Sequence, residues 1–136
     1  MLAVSYLFQQ GTPFIYQGQE IGMTNIRLKS IDQYMDVSSH TNFHRYHLKE
    51  SIEKRMERIH HSSRDSSRTP MQWDATAHAG FSDAQPWFYV NPNYTRVNVA
   101  AEEEEPQSIL NFYRKAMTQI LINKQFPDML GNKVFK

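Results

Sequence analysis

The run TPFIYQG, from Thr12 to Gly18, sets the hardest condition on any fold this chain can adopt. Phe14, Ile15 and Tyr16 follow one another without apolar–polar alternation, and Gly18 and Gly22 close the stretch. That is the pattern of a strand covered on both faces in a parallel sheet. Such a strand needs hydrogen-bonding neighbours along its edges, because a buried amide left unpaired costs about as much as a lost hydrogen bond. No second convincing strand occurs in the remaining sequence. The chain therefore reads as α/β with a sheet that it cannot complete.

The other expected elements are helical. Leu2, Ala3, Tyr6 and Leu7 recur at helical spacing in residues 1–10, and Gly11 follows where helices commonly stop. Residues 23–47 are irregular and polar, with Asp32, Asp36 and three histidines. In HLKESIEKRMERIHH, Leu48, Ile52, Met56 and Ile59 recur at intervals of four, four and three, while Glu50 and Lys54 make an i,i+4 pair. This spacing predicts an amphipathic helix ending near His60. Turn formers and aromatics then make residues 62–101 a long structured loop. Glu102 to Glu105 precede Pro106 and read as the solvated start of a last helix, carboxylates at its positive end, marked by Ile109, Leu110, Tyr113, Ala116, Met117, Ile120 and Leu121.

Composition removes several classes of function. A length of 136 residues predicts one domain, and 40% hydrophobic residues suffice for a core. Lys and Arg number 15 against 14 Asp and Glu, so no charge excess calls for nucleic acid or an anionic membrane. The six basic residues between Lys49 and Arg68 are offset by four acidic ones, too thin an excess for phosphate binding. The absence of cysteine excludes disulfides, Cys-based zinc sites and thiol chemistry. MLAVSYLF lacks a basic flank and is too short to span a bilayer. The expectation is a cytoplasmic chain with no cofactor and with neither a nucleic-acid nor a membrane partner.

Candidate chemistry is sparse until the loop. His44 with His47 and His60 with His61 form no His-Glu-x-x-His pattern, so polar surface roles outweigh metal binding and no metal is expected. Glu20 lies beyond the carboxyl end of the expected strand, where active-site groups sit in barrels, yet sequence supplies no second carboxylate to pair it with. Asp65, between Arg64 and Arg68, reads as a salt-bridged brace. SSRDSSRTPMQWD, Ser62 to Asp74, gathers Arg64, Arg68, Gln72 and Trp73, and such planar forks, amides and indoles can hold sugar hydroxyls and stack on sugar rings.

GTPFIYQGQEIGMTN, together with SRDSSRTPMQWDATAHAGFS and PWFYVNPNY, resembles the α-amylase superfamily of glycoside hydrolases. The likeness is greatest to its oligo-1,6-glucosidase, α-glucosidase, dextran glucosidase and trehalose-6-phosphate hydrolase group, and it extends from Leu2 to about Ala116. The resemblance implies a partial (β/α)8 TIM barrel, not closed: residues 1–10 as seventh helix, Thr12 to Gln17 as eighth strand, residues 23–101 as a connection with an internal helix, and residues 107–122 as eighth helix. Residues 1–136 would form a C-terminal piece of the catalytic domain, without the β-sheet domain that follows it in the family. The family's three catalytic carboxylates belong to other strands, so no catalytic residue is expected here and the chain alone is expected to be inactive. Arg68 would contact the innermost glucose of a small oligosaccharide in the full-length parent. Arg64, Asp65, Gln72 and Trp73 would order the loop near it, and Gln17 and Glu20 would stand at the barrel rim. Gln19 departs from the glutamate of many relatives, and the sequence drifts from the family after Ala116. The alternative is a stand-alone carbohydrate-binding or interaction module that retains the sugar-contact loop.

Overall fold

The computed structural model describes Leu7, Gln9 and residues 13–122, with side chains as far as residue 119. The expected first helix lies outside the described residues except at Leu7, which is helical and buried. Four α-helices are described: α1 (Val37–Arg45), α2 (Ile52–Ser62), α3 (Val99–Glu104) and α4 (Ile109–Ile122). Short 3₁₀ turns punctuate the connections at Gln19–Ile21, Ile31–Gln33, Arg64–Arg68, Ala77–Gly80 and Pro92–Thr95.

The expected buried strand does not form. Among the described residues none is in a strand, and Phe14, Ile15 and Tyr16 are 87%, 36% and 58% exposed. The segment has no ladder to join, so its backbone bonds locally. Tyr16 N–H donates to Gln19 Oε1 at 3.3 Å, and Gln19 N–H donates to the Tyr16 carbonyl at 3.0 Å. Gly18, at φ 85°, then carries the chain into the turn 19–21, and a Cβ there would lie 2.4 Å from Met23 Sδ.

Residues 23–47 are more ordered than their polarity suggests. Ser30 and Gln33 form a reciprocal capping box around the turn 31–33. Helix α1 follows, burying only Ser39 and Phe43 among largely polar side chains, which is why hydrophobic periodicity did not reveal it. The Phe43 ring lies under the Arg55 guanidinium at 4.3 Å from the ring centroid. Helix α2 starts later than its apolar spacing predicts. Ser51 caps it by accepting from Lys54 N–H at 3.4 Å, so Leu48 precedes the helix and stays 87% exposed, and Ile52 is also exposed. Met56 and Ile59 do face inward, joining Ile26, Leu28, Ile31, Tyr34, Phe43 and Phe88 in the main core. The Glu50–Lys54 pair exists at 3.9 Å, but Glu50 holds Arg58 closer, at 2.6 Å.

The acidic run is also reassigned. Asn98 caps α3 by accepting from Ala101 N–H at 2.8 Å, so Glu102 to Glu104 end one helix instead of opening the next. The electrostatic expectation survives in altered form: Glu102 Oε2 accepts from Leu110 N–H at 3.2 Å, satisfying an amide at the start of α4. Tyr113 of α4 and Leu7 form a second core, with Ala116 and Met117 packed against it. The side chains of Ile120 and Leu121 lie outside the described residues.

Candidate functional site

The segment Arg64–Arg68 is a 3₁₀ turn because Ser63 Oγ accepts from Asp65 N–H at 3.2 Å and fixes its first residues. Asp65 is fully buried. Its Oδ2 accepts from Met35 N–H at 2.7 Å and Asp36 N–H at 2.9 Å, while Oδ1 faces Arg68 Nη1 at 3.4 Å. One carboxylate thus ties the backbone before α1 to the guanidinium of Arg68, whose side chain remains 43% exposed. The brace expected of Asp65 is present, but Arg64 is not its hydrogen-bonding partner.

Arg64 turns to Asp36 instead, donating Nε at 3.1 Å and Nη2 at 2.7 Å to Oδ1. Ser39 Oγ donates to Asp36 Oδ2 at 3.2 Å and is hydrogen-bonded to Ser63 Oγ at 2.8 Å. The Arg64 hydrogen bond holds the buried Asp36 carboxyl below the usual aspartate range, against a desolvation that would raise it, and the Arg64 guanidinium is shifted up in return. Asp36, Ser39 and Ser63 are site-ordering residues that sequence reasoning missed. Pairing across 28 residues leaves no periodic or motif signal.

Gln72 is fully buried, and its amide Nε2 donates to Asn93 Oδ1 at 3.1 Å and to the Val97 carbonyl. Asn93 Nδ2 donates to Thr24 Oγ1 at 3.0 Å, and Asn91 Nδ2 donates to the Thr24 carbonyl at 2.9 Å. Gln72 thus holds the loop segment 93–97, which Asn91 and Asn93 in turn tie to Thr24. Trp73 is half exposed, but its backbone is held on both sides: its N–H donates to the Ala79 carbonyl at 2.8 Å, and its carbonyl accepts from Ala100 N–H at 3.0 Å.

Tyr16 Oη donates to the Ser67 carbonyl at 2.9 Å, joining residues 13–17 to the Arg64–Arg68 turn. Gln17 and Arg64 line a cleft of about 390 Å3 that also takes in Tyr16, Asn25, His61 and Ser67. Arg68, Asp65, Gln72, Trp73 and Glu20 are not in its wall. Glu20 is half-buried in the turn Gln19–Ile21, and its Oε2 has no hydrogen-bond partner among the described residues. Three histidines serve structural contacts: His40 Nε2 meets the Tyr34 carbonyl at 2.7 Å, His47 Nδ1 the His44 carbonyl at 2.8 Å, and His60 Nε2 the Leu28 carbonyl at 3.0 Å. No helix of the described residues is long and apolar enough to cross a membrane.

A sequence model of the α-amylase catalytic domain matches residues 1–125, and the chain belongs to this family. Its relatives include an oligo-1,6-glucosidase of Parageobacillus thermoglucosidasius, 47% identical over 118 residues, which cover 85% of this chain and 21% of the relative. An α-glucosidase of Pediococcus pentosaceus is 40% identical over 132 residues, 95% of this chain and 23% of the relative. Among solved structures, the isomaltulose synthase SmuA from Protaminobacter rubrum superposes with a TM-score of 0.81 at 40% identity, over 95% of this chain and 23% of the other. The trehalulose synthase MutB from Pseudomonas mesoacidophila MX-45 gives a TM-score of 0.77 at 43% identity, over 86% of this chain and 21% of the other. The chain thus spans about a fifth of the length of these proteins.

Proposed function

We propose that these residues are the sugar-contact portion of a retaining α-glucosidase of the oligo-1,6-glucosidase type, acting on α-glucosidic bonds in short oligosaccharides. In this reading residues 1–10, 12–17 and 107–122 become the seventh helix, eighth strand and eighth helix of a (β/α)8 barrel only in the full-length parent, whose other strands supply the ladder that 12–17 lacks here, and the long connection 23–101 joins them. The observation that carries the reading is the Arg68 guanidinium, half exposed yet aimed by a fully buried carboxylate that is itself fixed by two backbone amides. A planar fork held in this way can donate to vicinal sugar hydroxyls without ordering itself on binding. Arg64, Asp65, Gln72 and Trp73 order the loop, and Gln17 and Glu20 occupy the rim.

Retaining hydrolysis takes two carboxyl groups about 5 Å apart, one as nucleophile and one as acid/base. The family's catalytic carboxylates belong to other strands of the barrel, and Asp65 is committed to its amides and Arg68. The 136 residues by themselves are therefore proposed to be inactive. Incubated with isomaltose and with an aryl α-glucoside, the chain should release no more glucose or phenol than a heat-killed sample. Turnover above that control would refute the assignment. Glucose or isomaltose should shift the side-chain NMR resonances of Arg68, and Arg68→Lys should lose that response because an ammonium cannot reproduce the fork.

The second reading, a stand-alone carbohydrate-binding or interaction module, draws support from the main core, whose members all come from residues 26–88. A cooperative melt of the monomer accompanied by sugar binding would favour it.

A further inference from the structure

His78, Ala79 and Gly80 are three consecutive residues in the left-handed region, at φ 56°, 59° and 64°. For histidine and alanine this conformation is disfavoured, and strain of this kind concentrates at ligand clamps and other functional sites. The surroundings hold the turn in place. The buried Ala79 carbonyl accepts from both Trp73 and Asp74 N–H groups, at 2.8 and 3.2 Å. Asp74 Oδ1 accepts from the Thr76 amide at 2.8 Å and its hydroxyl at 2.5 Å, and these bonds keep the Asp74 carboxyl below its ordinary range. A Cβ on Gly80 would come within 2.6 Å of Asp74 Oδ2, so the turn is closed against substitution there.

This rigid backbone borders a cleft of about 440 Å3 lined by Thr76, His78, Phe81, Ser82 and Asp83. Arg64, Arg68 and Gln17 do not line it. Phe81 is 47% exposed, Asp83 is exposed, and the imidazole and carboxylate of His78 and Asp83 make no hydrogen bond or ion pair among the described residues. An aromatic face beside an uncommitted acceptor and an uncommitted imidazole on a fixed backbone matches a pyranose, which presents an apolar C–H face and a ring of hydroxyls.

We propose that the turn His78–Gly80 and the residues after it form a second saccharide-binding site, separate from Arg68. It takes a neutral pyranose with its C–H face on Phe81 and hydroxyls bonded to Asp83 and His78. The site shares its ligand class with the proposed sugar contact at Arg68 but none of its residues. The test is a titration of the full 136-residue chain with maltose and isomaltose, followed by amide NMR. Amides of residues 76–83 should shift and saturate with a Kd of order ~1 mM, as for a shallow site with few contacts. Phe81→Ala and Asp83→Asn should each weaken that binding about tenfold, while Arg68→Ala leaves it unchanged. Both side chains are exposed, so preserved spectral dispersion in either variant is enough to read the result. Absence of shifts at 76–83, shifts indifferent to both variants, or their loss in Arg68→Ala would each overturn the proposal. Loss of the Arg68 response alone would sink the sugar contact there and leave this site standing.

Discussion

Asp65 and Asp36 are two buried carboxylates with different tasks, and the difference decides what each substitution should do. Asp65 accepts two backbone N–H groups and faces one guanidinium, so Asp65→Ala strands all three and should cost about 3 kcal/mol, the scale for breaking a buried charge network. Urea unfolding of the variant against the parent measures it, and a loss under about 1 kcal/mol would show that solvent replaces the carboxylate. Asp36 is set by Arg64, and its lowered carboxyl fixes the sign of a pH effect. A folded-state pKa below the unfolded value gives stability that is complete above the unfolded pKa, about 3.9, and is lost as pH falls through the lower folded value. Glu57, lowered mainly by its Arg27 hydrogen bond, adds a dependence of the same sign. Melting temperature should therefore fall on acidification below about pH 4, and Arg64→Ala should flatten part of that slope. Arg64, Arg68 and Asp65 were legible in the sequence as a charged cluster, and the Asp65–Arg68 pair with it, but the partner of Arg64 was not. Asp36, the true partner of Arg64, is distant in the chain, and only the folded path between the turn 31–33 and α1 brings it there.

At the scale of elements, the sequence carried helix α2 and helix α4 through their apolar spacing and missed α1, whose inward face is one serine and one phenylalanine. The register of α2 exposed a second limit. Leu48 and Ile52 satisfy the periodic pattern as well as Met56 and Ile59 do, yet the helix begins at the Ser51 cap, and the two earlier residues remain in water. Capping chemistry overrode periodicity at this end. Ile59→Ala should consequently cost about 2–5 kcal/mol and Leu48→Ala less than about 0.5 kcal/mol. Comparable losses at both positions in thermal or urea melts would contradict the helix start at Ser51. The acidic run teaches the same lesson. Four glutamates before a proline read as one solvated helix start, whereas the Asn98 cap makes them the end of α3 and leaves the Glu102 side chain to serve α4.

For the molecule as a whole, the apolar run at Phe14–Tyr16 was the feature most readily recognised and the one whose local structure differed most from expectation. Its composition fits a covered strand, but strand formation needs partners, and among the described residues none is offered. The result is an apolar and uncovered stretch, with Phe14 at 87% exposure. Such a segment invites edge pairing between molecules. Sedimentation of the chain should show concentration-dependent association that Phe14→Ser reduces, and a monomer at every concentration would show that the stretch is innocuous. The long loop, by contrast, was readable as a structured segment, and as a candidate sugar contact from its arginines, Gln72 and Trp73, while the hydrogen bonds that join it to Thr24 and to the backbone before α1 are long-range and have no sequence signature.

The bond from Asp65 to the Met35 amide spans 30 residues of sequence. The direction in which Arg68 offers its positive charge is consequently governed by a stretch of backbone that carries none of the loop's recognisable letters. A single residue inserted between Ser30 and Met35 would pull the anchor from under that guanidinium, so length variation there should displace Arg68 much as loss of Asp65 would.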